Sequence, residues 1–179
     1  AAGFDNIDVE AASQSGVYVT NTPGILEQSV AELVFAHLLS FSRRLLEADR
    51  YVRDGKFKEW KFDFFIGNEL SKKTFGIVGS GRVSRALAPI AKAFDMKIIY
   101  TNQNGEIEKD IDGVRVSLEK LLKDSDYVVL AVPLNDNTKH LIKFAELQLM
   151  KKTAVLMNIA RGPIVREADL ILALKDGLI

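Results

Sequence analysis

The stretch Thr74-Phe-Gly-Ile-Val-Gly79-Ser-Gly81-Arg-Val-Ser84 constrains this chain more than any other. A β-branched and aromatic run feeds a tight glycine turn, and the turn opens an amphipathic run that reaches Phe94. Strand, turn and helix in that order direct backbone N–H groups at a pyrophosphate, and the helix N-terminus adds a partial positive charge. A second strand-like run, Lys97–Thr101, ends about 20 residues after the glycines, as a dinucleotide fingerprint requires. Ser84 stands where that fingerprint has its third glycine; its small side chain still allows close helix–strand packing. The competing reading of the same residues is a plain strand–turn–helix corner.

The chain has 179 residues, room for one sizeable core or for one domain and part of another. Lys+Arg and Asp+Glu are both 24, and no basic block appears, so a nucleic-acid partner is not expected. Cysteine is absent, which excludes disulfides, cysteine–zinc sites and cysteine nucleophiles within these residues. The most apolar stretch, Val30–Phe41, is too short to span a bilayer and is interrupted by Glu32, His37 and Ser40. No membrane partner is expected either, and the class is that of a cytoplasmic α/β protein.

Asp8 to Ser15 reads as a short helix capped by Asp8 and stopped at Gly16. Val17–Thr20 reads as a short strand and Asn21-Thr-Pro-Gly24 as a turn. Ser29-Val-Ala-Glu32 has the capping-box pattern, which predicts one long helix from Val30 to Arg53. Its first half is apolar nearly all round, so it needs cover on more than one side, from a second subunit or domain. The segment 56–68 is aromatic and irregular, a wrapping segment. From Lys73 onward strands at 74–78, 97–101, 127–131 and 154–158 alternate with helices at 82–94, 118–123, 144–149 and 166–175. That alternation predicts a Rossmann-type, doubly wound parallel sheet with right-handed crossovers. The expected organisation is a substrate-domain remnant and hinge at 1–28, a linking helix and wrapping segment at 29–72, and a dinucleotide-binding domain at 73–179.

Several motifs in one order carry a resemblance over essentially the whole chain. They are Gly3-Phe-Asp5-Asn6-Ile-Asp8, Asn21-Thr-Pro-Gly24, Ala31-Glu32-Leu33, Arg53-Asp-Gly55, Trp60 and Gly79-Ser-Gly81-Arg82. Further on come Asp126, Val132-Pro133-Leu134, Thr138-Lys-His140-Leu-Ile142, Leu149-Met-Lys151 and Asn158-Ile-Ala-Arg161-Gly162. The chain resembles the D-isomer-specific 2-hydroxyacid dehydrogenases. The resemblance implies an NAD- or NADP-dependent oxidoreductase acting on a small 2-hydroxy or 2-oxo acid. It also implies a fragment of a longer protein, because the family's catalytic glutamate and histidine follow the segment matching Lys175–Ile179.

Within the resemblance, Arg161 corresponds to the arginine that binds the substrate carboxylate and polarises its carbonyl. A guanidinium suits this work because it is permanently charged and grips a carboxylate through two parallel hydrogen bonds. Taken alone, Arg161 reads as a surface arginine that caps a helix or pairs with Asp169. Ala2 and Gly3 correspond to the turn whose N–H groups hold the other side of that carboxylate. Gly79, Gly81, Arg82, Val83, Asn102, Val132, Pro133, Thr138, Ile159 and Ala160 form the implied cofactor set. Ser29 and Val30 match positions near the nicotinamide, although a plain cap explains Ser29 equally well. His140 reads as structural, and the aromatic residues at 57–65 as packing.

Asn102 is a departure from the family pattern. NAD enzymes of this type place an aspartate there for the ribose hydroxyls, while NADP enzymes supply a neighbouring arginine. The polar turn 101–105 has no acid, and no base follows before Lys109. The absent carboxylate removes repulsion against NADP without adding attraction, so the reading leans to NAD. Dimerisation is expected through the 30–41 helix. Two rival functions stay open: a dinucleotide-sensing scaffold, as in the corepressor branch of the family, and a purely structural, dimerising module.

Overall fold

The computed structural model describes residues 2–103, 105 and 107–179. Asn104, within the expected polar turn, lies outside them. Five parallel strands form one sheet: β1 (Thr74–Val78), β2 (Lys97–Thr101), β3 (Val114–Arg115), β4 (Tyr127–Leu130) and β5 (Val155–Asn158), in the order β3-β2-β1-β4-β5. The helices are α1 (Val9–Gln14), α2 (Glu27–Ser42), α3 (Leu45–Arg53), α4 (Arg82–Ala93), α5 (Leu118–Asp124), α6 (Phe144–Leu149) and α7 (Glu167–Lys175). The central strands are buried on both faces, which is why their sequences are near-continuous apolar runs. One core gathers α2, α4 and the facing side of the sheet around Phe35, Phe75, Leu87 and Tyr100. The other lies beneath α5, α6 and α7, around Leu121, Leu130, Leu147 and Ile164. The doubly wound parallel architecture is therefore as the sequence predicts. Among the described residues, no helix is long and apolar enough to cross a membrane.

The N-terminal third departs from expectation in three places. Val17–Thr20 forms no strand: it has no sheet partner among the described residues, and the Val17 N–H bonds back to the Ala12 carbonyl. The long helix begins at Glu27, ahead of Ser29, so Ser29 lies inside it and caps nothing. The Glu27 carboxylate accepts the Gly24 N–H at 2.8 Å, turning the Pro23-Gly24 corner directly into the helix. That helix also breaks at 43–44. The Ser42 carbonyl accepts the Asn68 N–H at 2.8 Å, Arg44 takes a left-handed conformation (φ 53°), and its guanidinium holds Glu47 at 2.7 Å. The wrapping segment has no regular structure. Phe64 and Phe65 pack edge-on to Tyr51, whereas Trp60 and Phe62 are 77% and 83% exposed and do not pack as expected.

Candidate functional site

The order of the strands reverses between β2-β1 and β4-β5, so a crevice opens beyond the C-terminal ends of β1 and β4. A cleft of about 460 Å³ occupies it. Six residues expected from sequence line this cleft: Gly79, Gly81, Asn102, Val132, Pro133 and Thr138. Ser80, Leu118 and Leu141 line it too, and the sequence reading did not select them. The turn is fixed by backbone bonds. The Gly79 N–H donates to the Thr101 carbonyl at 2.8 Å, and the Ala131 N–H donates to the Val78 carbonyl at 2.8 Å.

The two glycines have different reasons to be glycine. Gly79 has φ +113°, and a Cβ there would stand 2.6 Å from the Ala131 carbonyl oxygen. Gly81 has φ −75° and ψ −170°, which any residue adopts, and a Cβ there meets nothing within 4 Å. Neither backbone nor packing demands a glycine at 81, and a side chain would fill the open space above the turn. That is what a bound pyrophosphate requires, so the residues present fit a dinucleotide. Ser84 is fully buried, as its place in the fingerprint asks, and its hydroxyl has no hydrogen-bond partner among the described residues.

Thr138 closes the loop after β4. Its hydroxyl donates to the Pro133 carbonyl at 2.6 Å and accepts the Asn135 N–H at 2.9 Å. Arg82 opens α4, is exposed and is not among the residues lining this cleft; the Glu27 carboxylate, held below the usual range by its own N–H and that of Gly24, also feels the Arg82 charge.

A second cleft of about 400 Å³ adjoins the first through the shared residues Ala131, Val132 and Pro133. It gathers Ala2, Gly3, Val83, Ile159, Ala160 and Arg161. An Asx turn builds the arginine's loop: the Asn158 amide donates to the Arg161 carbonyl at 2.8 Å and accepts the Ala160 N–H at 3.0 Å. Arg161 then reaches across to the N-terminal turn. Its Nε lies 3.0 Å from both Asp5 carboxylate oxygens, its Nη2 lies 2.9 Å from Oδ1, and its Nη1 donates to the Ala160 carbonyl at 2.9 Å. The guanidinium hydrogen bonds hold the Asp5 carboxyl below the usual carboxylate range. A Cβ on Gly3 would collide with the guanidinium, so the turn tolerates only glycine while Arg161 lies there. Asn21 anchors the same turn by donating to the Ala2 carbonyl at 2.9 Å. The surface reading of Arg161, with Asp169 as partner, is not what forms; Asp169 pairs with Arg166 and accepts the Phe144 N–H. Nothing local in the sequence marks Asp5 as the partner of so distant an arginine. A wider cavity of about 980 Å³ runs beside β5; His140, Asn158 and Gly162 line it, but none of the residues expected to bind substrate or cofactor does.

Fold and clefts together define a Rossmann-type domain with a glycine-turn crevice at the reversal of strand order and an arginine-bearing pocket beside it. Residues 35–179 match the sequence model of the D-isomer specific 2-hydroxyacid dehydrogenase NAD binding domain, and the chain belongs to that family. Over its whole length it is 46% identical to a glyoxylate reductase of Pyrococcus horikoshii and 49% to one of Thermococcus litoralis, covering 55% and 56% of those proteins. Among solved structures it resembles D-lactate dehydrogenase from Aquifex aeolicus complexed with NAD and lactic acid, with TM-score 0.88 and 33% identity over 99% of this chain and 53% of that one. It resembles equally an acyclic imino acid reductase in complex with NADPH and D-Arg, with TM-score 0.89 and 35% identity over 99% of this chain and 57% of that one. The chain spans about half the length of the curated relatives it matches.

Proposed function

We propose that this chain is the dinucleotide-binding half of an enzyme that transfers a hydride between a nicotinamide cofactor and a small D-2-hydroxy or 2-oxo acid. The observation that carries the reading is the adjacency of the two clefts: Val132 and Pro133 wall both the glycine-turn crevice and the pocket holding Arg161. A small acid gripped by Arg161 therefore lies next to a dinucleotide seated on Gly81. The cofactor, when bound, supplies the redox chemistry by giving or accepting the hydride. The protein's share is positioning. Arg161 binds the carboxylate and polarises the adjacent carbonyl oxygen, and the N–H groups of the Ala2-Gly3 turn complete the anion site. Gly79, Gly81, Arg82, Val83, Asn102, Val132, Pro133, Thr138, Ile159 and Ala160 are assigned to the cofactor. The proton acid–base residues belong, by the family pattern, to sequence beyond these residues. Leu33 and Phe41, 57% and 62% exposed on the side of α2 away from the core, are assigned to a dimer contact.

The test is a pair of titrations on the wild type and Arg161→Lys. NADH is titrated first, and oxamate, an unreactive oxo-acid analogue, is titrated into the saturated complex. Lysine keeps the charge and loses the planar two-point grip, so oxamate affinity should fall about tenfold or more while NADH affinity holds. Equal oxamate binding by both proteins would remove Arg161 from the substrate site.

A further inference from the structure

Beside the Asn102 edge of the crevice stands a short strand that the sequence does not announce. β3 pairs beside β2, with Tyr100 in register with Arg115, and so sets the Arg115 side chain next to the end of β2. Its Nε donates to the Asn102 Oδ1 at 2.9 Å, and its Nη2 lies 3.3 Å from where a Cβ on Gly105 would stand. The Asn102 amide nitrogen in turn lies 3.2 Å from the Ser80 hydroxyl, in the glycine turn itself. A base thus stands at the position where the sequence offered none before Lys109. Among the described residues, no carboxylate lies within ion-pair distance of Arg115.

We infer that Arg115, held by Asn102, is the residue that selects a 2′-phosphorylated dinucleotide, making the crevice an NADP(H) site. This rests on the dinucleotide reading of the crevice and deepens it. Asparagine is the informative partner. Its carbonyl oxygen orients the guanidinium without neutralising it, whereas an aspartate would cancel the charge and repel a phosphate. Glu108 lies beyond Ser80: its Oε1 accepts the Ser80 hydroxyl at 3.3 Å, and its Oε2 pairs with Arg85 at 3.0 Å. Arg85 also meets Asp110 at 3.3 Å, so one base there serves two acids. A phosphate on the ribose 2′-oxygen, seated over Asn102 and Ser80, meets a guanidinium that has no carboxylate partner among the described residues. Charge-assisted bonds of this kind are roughly twice as strong as neutral ones.

The experiment measures affinity, not turnover. NADPH, NADH, 2′,5′-ADP and 5′-ADP are titrated calorimetrically into the whole chain and into Arg115→Gln and Asn102→Asp. The wild type should bind NADPH over NADH, and 2′,5′-ADP over 5′-ADP, by about tenfold to a hundredfold. Arg115→Gln should erase the preference and leave NADH affinity within about threefold; Asn102→Asp should reverse it. Asn102→Asp also serves if Arg115→Gln fails to fold. Equal or tighter NADH binding by the wild type, or a preference surviving in Arg115→Gln, overturns the assignment while the crevice stands as a dinucleotide site. No binding of either dinucleotide overturns the crevice reading as well.

Discussion

Arg161 and Asp5 are separated by 156 positions in sequence and meet in a two-point ion pair at 2.9–3.0 Å. The pair joins the loop after β5 to the N-terminal turn and holds the guanidinium across the second cleft. On the proposed function, an incoming carboxylate finds the arginine already engaged by one. Asp5 is thus both the arginine's guide and its internal competitor.

Replacing Asp5 with Asn should therefore tighten the binding of a small dianion. Asparagine keeps the shape of the carboxyl group but no longer neutralises the guanidinium. We expect oxalate to bind about two- to tenfold more tightly to Asp5→Asn than to the wild type, read by calorimetry at fixed ionic strength. A loss of oxalate affinity would mean that guidance outweighs competition.

The two glycines of the turn should fail in different ways. Gly81→Val places a side chain in open space, so the fold should keep its melting temperature while affinity for NADH and NADPH falls about tenfold or more. Gly79→Ala meets a positive φ and the Ala131 carbonyl at once. It should cost about 1–3 kcal/mol of stability, read as a shifted urea midpoint. A Gly81→Val protein that binds both dinucleotides normally would show that no pyrophosphate approaches this turn.

The free side of α2 supplies a third expectation. Its buried side, Ala31, Val34, Phe35 and Leu38, is satisfied by the core, but Leu33 and Phe41 are not. An isologous contact between two copies would cover them. Leu33→Asp with Phe41→Asp should turn a sedimenting dimer into a monomer with unchanged far-ultraviolet circular dichroism. A wild type that sediments as a monomer well above assay concentrations refutes the contact.

What was legible in the sequence was local. The strand–turn–helix at Thr74–Ala93 is written in consecutive residues, and so are the Asp8 cap, which accepts the Ala11 N–H at 2.9 Å, and the strands β2, β4 and β5. What stayed hidden depends on distant partners. The break after Ser42 exists because Asn68 takes its carbonyl, and no feature of 40–46 announces that. β3 has two residues, too few to show a period, yet it brings Arg115 to Asn102, a residue that lines the crevice. Ser29-Val-Ala-Glu32 has the letters of a capping box, but Glu27 captures the Gly24 N–H and starts the helix earlier.

Asp126 offers a prediction about stability alone, since it lies at the N-terminal ends of β1 and β4, opposite the crevice. Its Oδ2 accepts the Thr74 N–H at 2.8 Å, its Oδ1 accepts Lys151 Nζ at 2.9 Å, and its own N–H donates to the Thr74 carbonyl at 2.9 Å. Burial pushes this carboxyl upward, but the Lys151 ammonium and the Thr74 N–H outweigh it and leave the group below its ordinary value of 3.8. A depressed native value means that the ionised form is stabilised by folding. That contribution is complete above the unfolded value and disappears as the pH falls through the native one. Asp126→Asn loses the charge on the Lys151 contact and should lower stability at neutral pH by about 1–3 kcal/mol, measured by urea unfolding. The difference should begin to shrink as the pH drops below the unfolded carboxyl's value of about 4, and go on shrinking until the native carboxyl, which holds its charge to lower pH, takes up its proton. Dinucleotide affinity should be the same in both proteins at neutral pH. A stability gap that stays constant down to pH 3 would show that the Asp126 charge is not what ties β1 to β4.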